Sequence, residues 1–218
     1  MGDAKQYASL EDLSRWFSSA RLESYSEAGS PEALYLWNTR LSKTFLQDIQ
    51  HVEVALRNVI DKALTCAYSA EWFDYRAVPT PSPIPFSEPS KKSIRTAIRR
   101  ARWESGLPTG KVIAELTFDF WYFLLSRSYQ TTVWPKLLPL LNGRPARDEF
   151  QAQVKVCYDM RNRAAHHEPL IKRHRNDENK LLDGACLAVQ CVTTWISLDC
   201  AEWVQRNSEI PAVRAQRP

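Results

Sequence analysis

Glycine is scarce, with 6 in 218 residues against 13 prolines. That is too few for an all-β fold of many tight turns, or for a phosphate-cradling loop. Neither G-x-G-x-x-G nor G-x-x-x-x-G-K-[ST] occurs. The five cysteines are odd in number, and no C-x-x-C pair is among them, so they read as thiols in a reducing compartment. The longest apolar run, Phe120 to Leu125, is far too short to span a bilayer. No apolar signal region opens the sequence, and a cytoplasmic, unanchored protein is expected. H-E-x-x-H is absent, which argues against a zinc-protease site, and neither a metal nor another cofactor is expected. Charge is close to balanced, 29 Lys+Arg against 25 Asp+Glu for a net +4, which tolerates a polyanionic partner without requiring one.

What is present is helical pattern and aromatic mass. Eight Trp, eight Tyr and eight Phe supply a core for one medium domain. Ser30-Pro31-Glu32 is a helix start, with a capping residue, proline at the first helical position and an acid in the first turn. From there Leu34, Trp37, Leu41, Phe45, Ile49, Val52, Leu56, Val59 and Ala63 recur at steps of three or four. This long helix is expected to be central. Ahead of it, residues 1–29 read as a helical brace, with Ser9 as a cap and Leu10, Leu13, Trp16 and Phe17 as its apolar side. Five prolines between 77 and 89 predict an extended connection anchored by Ile84 and Phe86.

Further helices are expected over 90–106, 109–126, 146–167 and 177–205, with 208–218 a flexible tail. The fold class is all-α, with one helical domain over 30–207. In the first of these helices Lys92, Arg95, Arg99 and Arg102 share one side, either an ordinary solvated face or a phosphate-contacting one. The segment Phe118 to Phe123 reads as core. Trp203 is assigned to the buried face of the last helix, and Val156 to the apolar positions of the helix over 146–167.

The chemistry concentrates in Arg161-Asn162-Arg163-Ala164-Ala165-His166-His167-Glu168, just before Pro169. Histidine exchanges protons near neutral pH, and arginine forks onto phosphate oxygens, so the pair points to phosphodiester chemistry. At about 100° per residue, Asn162 and His166 share a helix face whereas Arg161 is roughly 140° away. Either Arg161 wraps around its own helix or, the preferred reading, two copies of the helix brought together by two-fold symmetry converge the arginines and histidines on one cleft. A helix C-terminus also favours positive charge, which suits an acid.

Arg161-Asn162 followed by three residues and His166 resembles the R-N-x-x-x-H motif of HEPN ribonucleases. Together with Tyr35-Leu36-Trp37-Asn38-Thr39-Arg40-Leu41-Ser42-Lys43-Thr44-Phe45 and Glu53-Val54-Ala55-Leu56-Arg57-Asn58, the chain looks like the Abi-like (abortive infection) branch of that superfamily. The likeness covers roughly residues 30 to 205. It implies an HEPN-like helical bundle that cuts RNA at a homodimer interface as an antiviral effector. Arg161 would bind the scissile phosphate, His166 would handle protons with His167 second in rank, and Asn162 would orient one of them. Arg163 would add an RNA contact. A neutralising antitoxin or regulatory small RNA would be a partner. The chain departs from the family at Glu168, where some relatives carry tyrosine, and at Pro169-Leu170-Ile171. A catalytically silent module that holds a structured or guide RNA through Lys92, Arg95, Arg99 and Arg102 is the other reading. Glu53 and Arg57, four residues apart, fit an intrahelical ion pair.

Overall fold

The computed structural model describes residues 9–26, 29–76, 82–101 and 108–218. Among these the protein is all-α. Eleven helices follow in order: α1 Leu10–Phe17, α2 Ser19–Leu22, α3 Pro31–Ala67, α4 Glu88–Ala101, α5 Thr109–Glu115, α6 Phe118–Leu124, α7 Trp134–Leu137, α8 Arg147–Ala165, α9 Arg175–Ile196, α10 Leu198–Asn207 and α11 Ile210–Ala215. No helix among them is long and apolar enough to cross a membrane.

The central element is α3. Its apolar stripe buries Leu41, Phe45, Ile49, Val52, Leu56 and Ile60 completely, each contributing about 1.5–3 kcal/mol of transfer free energy. Around it pack α1, α6, α7, α8, α9 and α11. Pro31 fixes the first turn as expected, although the Ser30 hydroxyl makes no cap bond to the helix backbone. In the brace, α1 is closed by a reciprocal capping box between Ser9 and Asp12. The brace then continues through α2 and a tight turn at Glu23–Tyr25. The connection after α3 is anchored by buried Ile84 and Phe86, as its sequence suggested.

Several boundaries differ from the sequence reading. The expected helix 109–126 breaks at Leu116 and Thr117, both extended, because the freed Leu116 carbonyl is taken by the Trp121 indole N–H at 3.2 Å. The aromatic run is also not wholly core, since Phe123 is 51% exposed. The expected helix 177–205 divides at Ser197, whose hydroxyl accepts the Cys200 N–H and starts α10. The C-terminal carbonyls of α9 are taken by Asn142, whose backbone N–H bonds Trp195 O at 2.7 Å and whose side-chain amide bonds Thr194 O at 3.1 Å. That division turns Trp203 outward, 52% exposed, and Val156 is exposed as well. Cys157 is buried, whereas Cys66 is exposed.

Residues 208–218, expected as a flexible tail, instead carry α11, which docks on α3. The Trp37 indole donates to Val213 O at 2.7 Å. Arg217 then bonds both oxygens of Glu178, at 2.8 and 3.1 Å. Glu178 is 0% exposed and also receives Arg175 and the Lys172 N–H. Its charge is therefore fully partnered, as burial demands.

Candidate functional site

The motif lies where α8 runs out. Arg161 and Asn162 are half-buried, and Arg161 Nη1 donates to Asn162 Oδ1 at 3.1 Å. The helix ends at Ala165, so His166 and His167 form its cap rather than its last turn, and both are exposed. Glu168 N–H donates to Arg163 O at 2.8 Å and His167 N–H to Ala164 O at 3.1 Å. These are the paired bonds of a Schellman cap, whose left-handed position glycine usually fills. Here His167 fills it, at φ 60°, a conformation that costs a side-chain-bearing residue about 1–2 kcal/mol.

Neighbouring contacts hold that strained residue in place. Arg21 Nη1 donates to His167 O at 3.2 Å. Arg163 Nε stands 3.9 Å from Glu168 Oε2, so this arginine is engaged with its own cap. Buried Asn38, on α3, accepts the Leu170 N–H at 2.8 Å through Oδ1. The loop is thereby tied to the central helix three residues past His167.

Arg161 belongs to a second cluster, at the junction of α3, α6 and α8. Burial raises the Glu53 carboxyl above its ordinary range; Arg161, and after it Arg57, pulls it back, while Asp119 adds to the rise. The expected Glu53–Arg57 ion pair is not closed. Arg57 Nε instead meets Asn58 Oδ1 at 3.4 Å. The Asp119 carboxylate, through a side-chain hydrogen bond, raises the Tyr158 hydroxyl; desolvation adds to this and Asn162 opposes it. Two carboxylates and two guanidiniums thus face one another around Tyr158 and Asn162. Among the described residues, no hydrogen bond or ion pair links Arg161 to either histidine.

A cavity of about 470 Å³ opens on the histidine side of the motif. The brace supplies Phe17, Arg21 and Tyr25; α3 supplies Tyr35, Asn38, Thr39, Ser42, Lys43 and Leu46; α8 and its cap supply Ala164 and His167. Phe17 and Tyr35 stack, with centroids 5.5 Å apart and planes at 23°, and Tyr25 meets Tyr35 edge-on at 5.4 Å. Burial pushes the Tyr25 hydroxyl up to about 12.

The sequence reading does not single out Arg21, Tyr25 or Tyr158, and it names Asn38, Lys43 and Asp119 only within longer blocks, with no site role of their own. Part of that signal was legible. Thr39, Ser42, Lys43, Leu46, Gln50, Glu53 and Arg57 fall within an arc of about 100° on α3 at the helical pitch, a mostly polar stripe complementary to the apolar one. It runs past the motif end of α8, joining the cavity to the Arg161 cluster.

The basic face of α4 lies apart. Lys92, Arg95 and Arg99 are exposed, and Arg95 Nη1 bonds the Tyr75 hydroxyl at 2.9 Å; Arg102 falls outside the described residues. Helix α6 touches both α4 and α8. Among the described residues, no group of three His, Cys, Asp or Glu is placed to hold a metal ion. Comparison of the chain with protein-family models, with curated proteins and with solved structures finds no match.

Proposed function

We propose that the protein is an HEPN-type, Abi-like endoribonuclease that cuts RNA without a metal, as a homodimer, in the service of antiviral defence. The observation that carries this reading is the arrangement at the end of α8. Two exposed imidazoles stand one turn past a guanidinium whose Asn162 partner and flanking Glu53 fix its position. Arg161 binds the scissile phosphate and stabilises its developing charge. His166, with His167 as the second candidate, moves protons between the 2′-hydroxyl and the leaving oxygen. Attack by the 2′-hydroxyl breaks the P–O5′ bond and leaves a 2′,3′-cyclic phosphate and a 5′-hydroxyl. DNA lacks the attacking group and stays intact.

Because the Arg161 side chain and the imidazoles make no bond to each other within one chain, the reading places the partner's histidine against this chain's arginine. The test is cleavage of RNA in EDTA, followed by end-group analysis. Cyclic phosphate termini are expected from the wild type, and from His166→Ala or Arg161→Ala at a rate lower by about 10²–10³-fold or more. RNA that stays intact at high protein concentration would sink the proposal.

The exposed basic side of α4, on a helix other than the one that bears the motif, favours a second reading, an RNA-holding module without turnover. Salt-sensitive binding that is lost on reversing Lys92 and Arg99, with no cleavage, distinguishes it.

A further inference from the structure

The cavity between the brace, α3 and the α8 cap lies beside the proton-moving histidines and shares only His167 with them, yet it is built for a ligand. Its volume falls within the about 300–1,000 Å³ of small-molecule sites. One wall is aromatic: Phe17 and Tyr35 are stacked and partly exposed, with Tyr25 behind them. Lys43 and Arg21 bring positive charge to the rim, and none of the described residues lining the cavity is acidic. Tyr25, its pKa pushed up to about 12 by burial, remains a hydrogen-bond donor throughout the physiological range. An aromatic wall accepts a planar ring irrespective of its edge, and adjacent cations accept the anion attached to it.

From this combination we propose that the cavity binds one nucleotide unit, its base against Phe17 and Tyr35 and its phosphate toward Lys43 and Arg21. The inference deepens the ribonuclease reading and rests on it for the identity of the substrate. His167 lines the same cavity, and its backbone carbonyl is held by Arg21. A nucleotide seated there lies directly beside the cap that carries the motif histidines. The N-terminal brace is then a substrate-reading element, because two of the three aromatic side chains and one cation come from it. It also gives a physical reason for the left-handed backbone at His167: that conformation turns the chain so that residue 167 faces the cavity while residue 170 is pinned to Asn38.

The test uses the full chain and a 5′-fluorescent single-stranded RNA whose 2′-hydroxyls are replaced by fluorine, so that internal attack is impossible. Anisotropy titrations compare the wild type with Lys43→Glu and Tyr35→Leu. Lys43 is exposed, so its reversal leaves the core untouched; a melting curve checks Tyr35→Leu, which is half-buried. Loss of one stacked base or one phosphate contact is expected to raise Kd about tenfold in each variant. An unchanged Kd in both overturns the cavity assignment, whatever the protein does to unmodified RNA. Conversely, variant-sensitive binding by a protein that leaves unmodified RNA intact overturns the nuclease reading and keeps the cavity. Once binding is seen, displacement of the probe by adenosine monophosphate assigns the cavity to a free nucleotide. Failure to displace it assigns the cavity to a nucleotide held within a strand.

Discussion

Two regions of this molecule use the same side chains to opposite ends. At the C-terminal anchor, Glu178 is sealed from water and closed by Arg175, Arg217 and a backbone N–H. At the junction of α3, α6 and α8, Glu53 and Asp119 face Arg57 and Arg161, and neither Arg161 nor Arg57 is closed onto a carboxylate. In the first, the buried carboxylate is closed on both oxygens by partners within the chain, and the charges serve stability. In the second, a guanidinium is steered by nearby carboxylates but keeps donors to spare. The contrast teaches that charge content alone does not mark a site; unfilled hydrogen-bonding capacity at a half-buried position does.

The comparison is open to direct attack. The largest effect is expected at the anchor: Glu178→Ala leaves Arg217 and Arg175 without their buried acceptor and should cost about 3–5 kcal/mol. Thermal melting reads it, and a Tm near that of the wild type would show that the clamp is dispensable. Next comes Arg161→Ala, expected to lower RNA cleavage by about 10²–10³-fold, the loss typical of an anion-stabilising donor, with little change in Tm. A variant that melts early without a matching catalytic defect would place Arg161 with the anchor instead.

A smaller effect of opposite sign is expected at the cap. His167→Gly relieves a left-handed strain of about 1–2 kcal/mol, so Tm should rise by a few degrees while RNA binding or cleavage falls. Smallest is Glu53→Gln. The folded carboxyl titrates above its unfolded value, so Glu53 favours the fold below the ordinary carboxylate range, and that contribution is lost as pH rises through the folded pKa. Denaturant titrations of the two proteins should therefore coincide at acid pH and separate at neutral pH, with Glu53→Gln the more stable. Separation of the reverse sign would mean that the arginines outweigh burial.

Much of the fold was legible in the sequence because it depends on periodicity. The apolar stripe of α3, the Ile84 and Phe86 anchors and the helix that bears the motif all follow from side-chain spacing. The interruptions were not legible, because each is settled by a single side chain, one remote in the chain and two local, that competes for a helix-end group. Asn142 takes the last carbonyls of α9, Ser197 starts α10, and the Trp121 indole takes the Leu116 carbonyl. The tail departs from its expected looseness for a similar reason: Val213 and Arg217 find their places only against Trp37 and Glu178, which lie far back in sequence. As for the candidate site, the Arg161, Asn162 and His166 cluster stands out in the sequence by its chemistry. Tyr35, Asn38 and Lys43 belong to the block that carries the resemblance, but their lining of a cavity depends on the brace and the α8 cap packing beside α3, which spacing along one helix does not reveal.

The 37 residues of α3 form one uninterrupted rod, roughly 56 Å long at about 1.5 Å per residue. One side of it anchors the hydrophobic interior and the other furnishes a wall of the cavity and a carboxylate beside Arg161. No partly melted form can therefore retain the chemistry while giving up the interior. Under heat or denaturant, helicity and the proposed RNA cleavage should vanish together on a single curve.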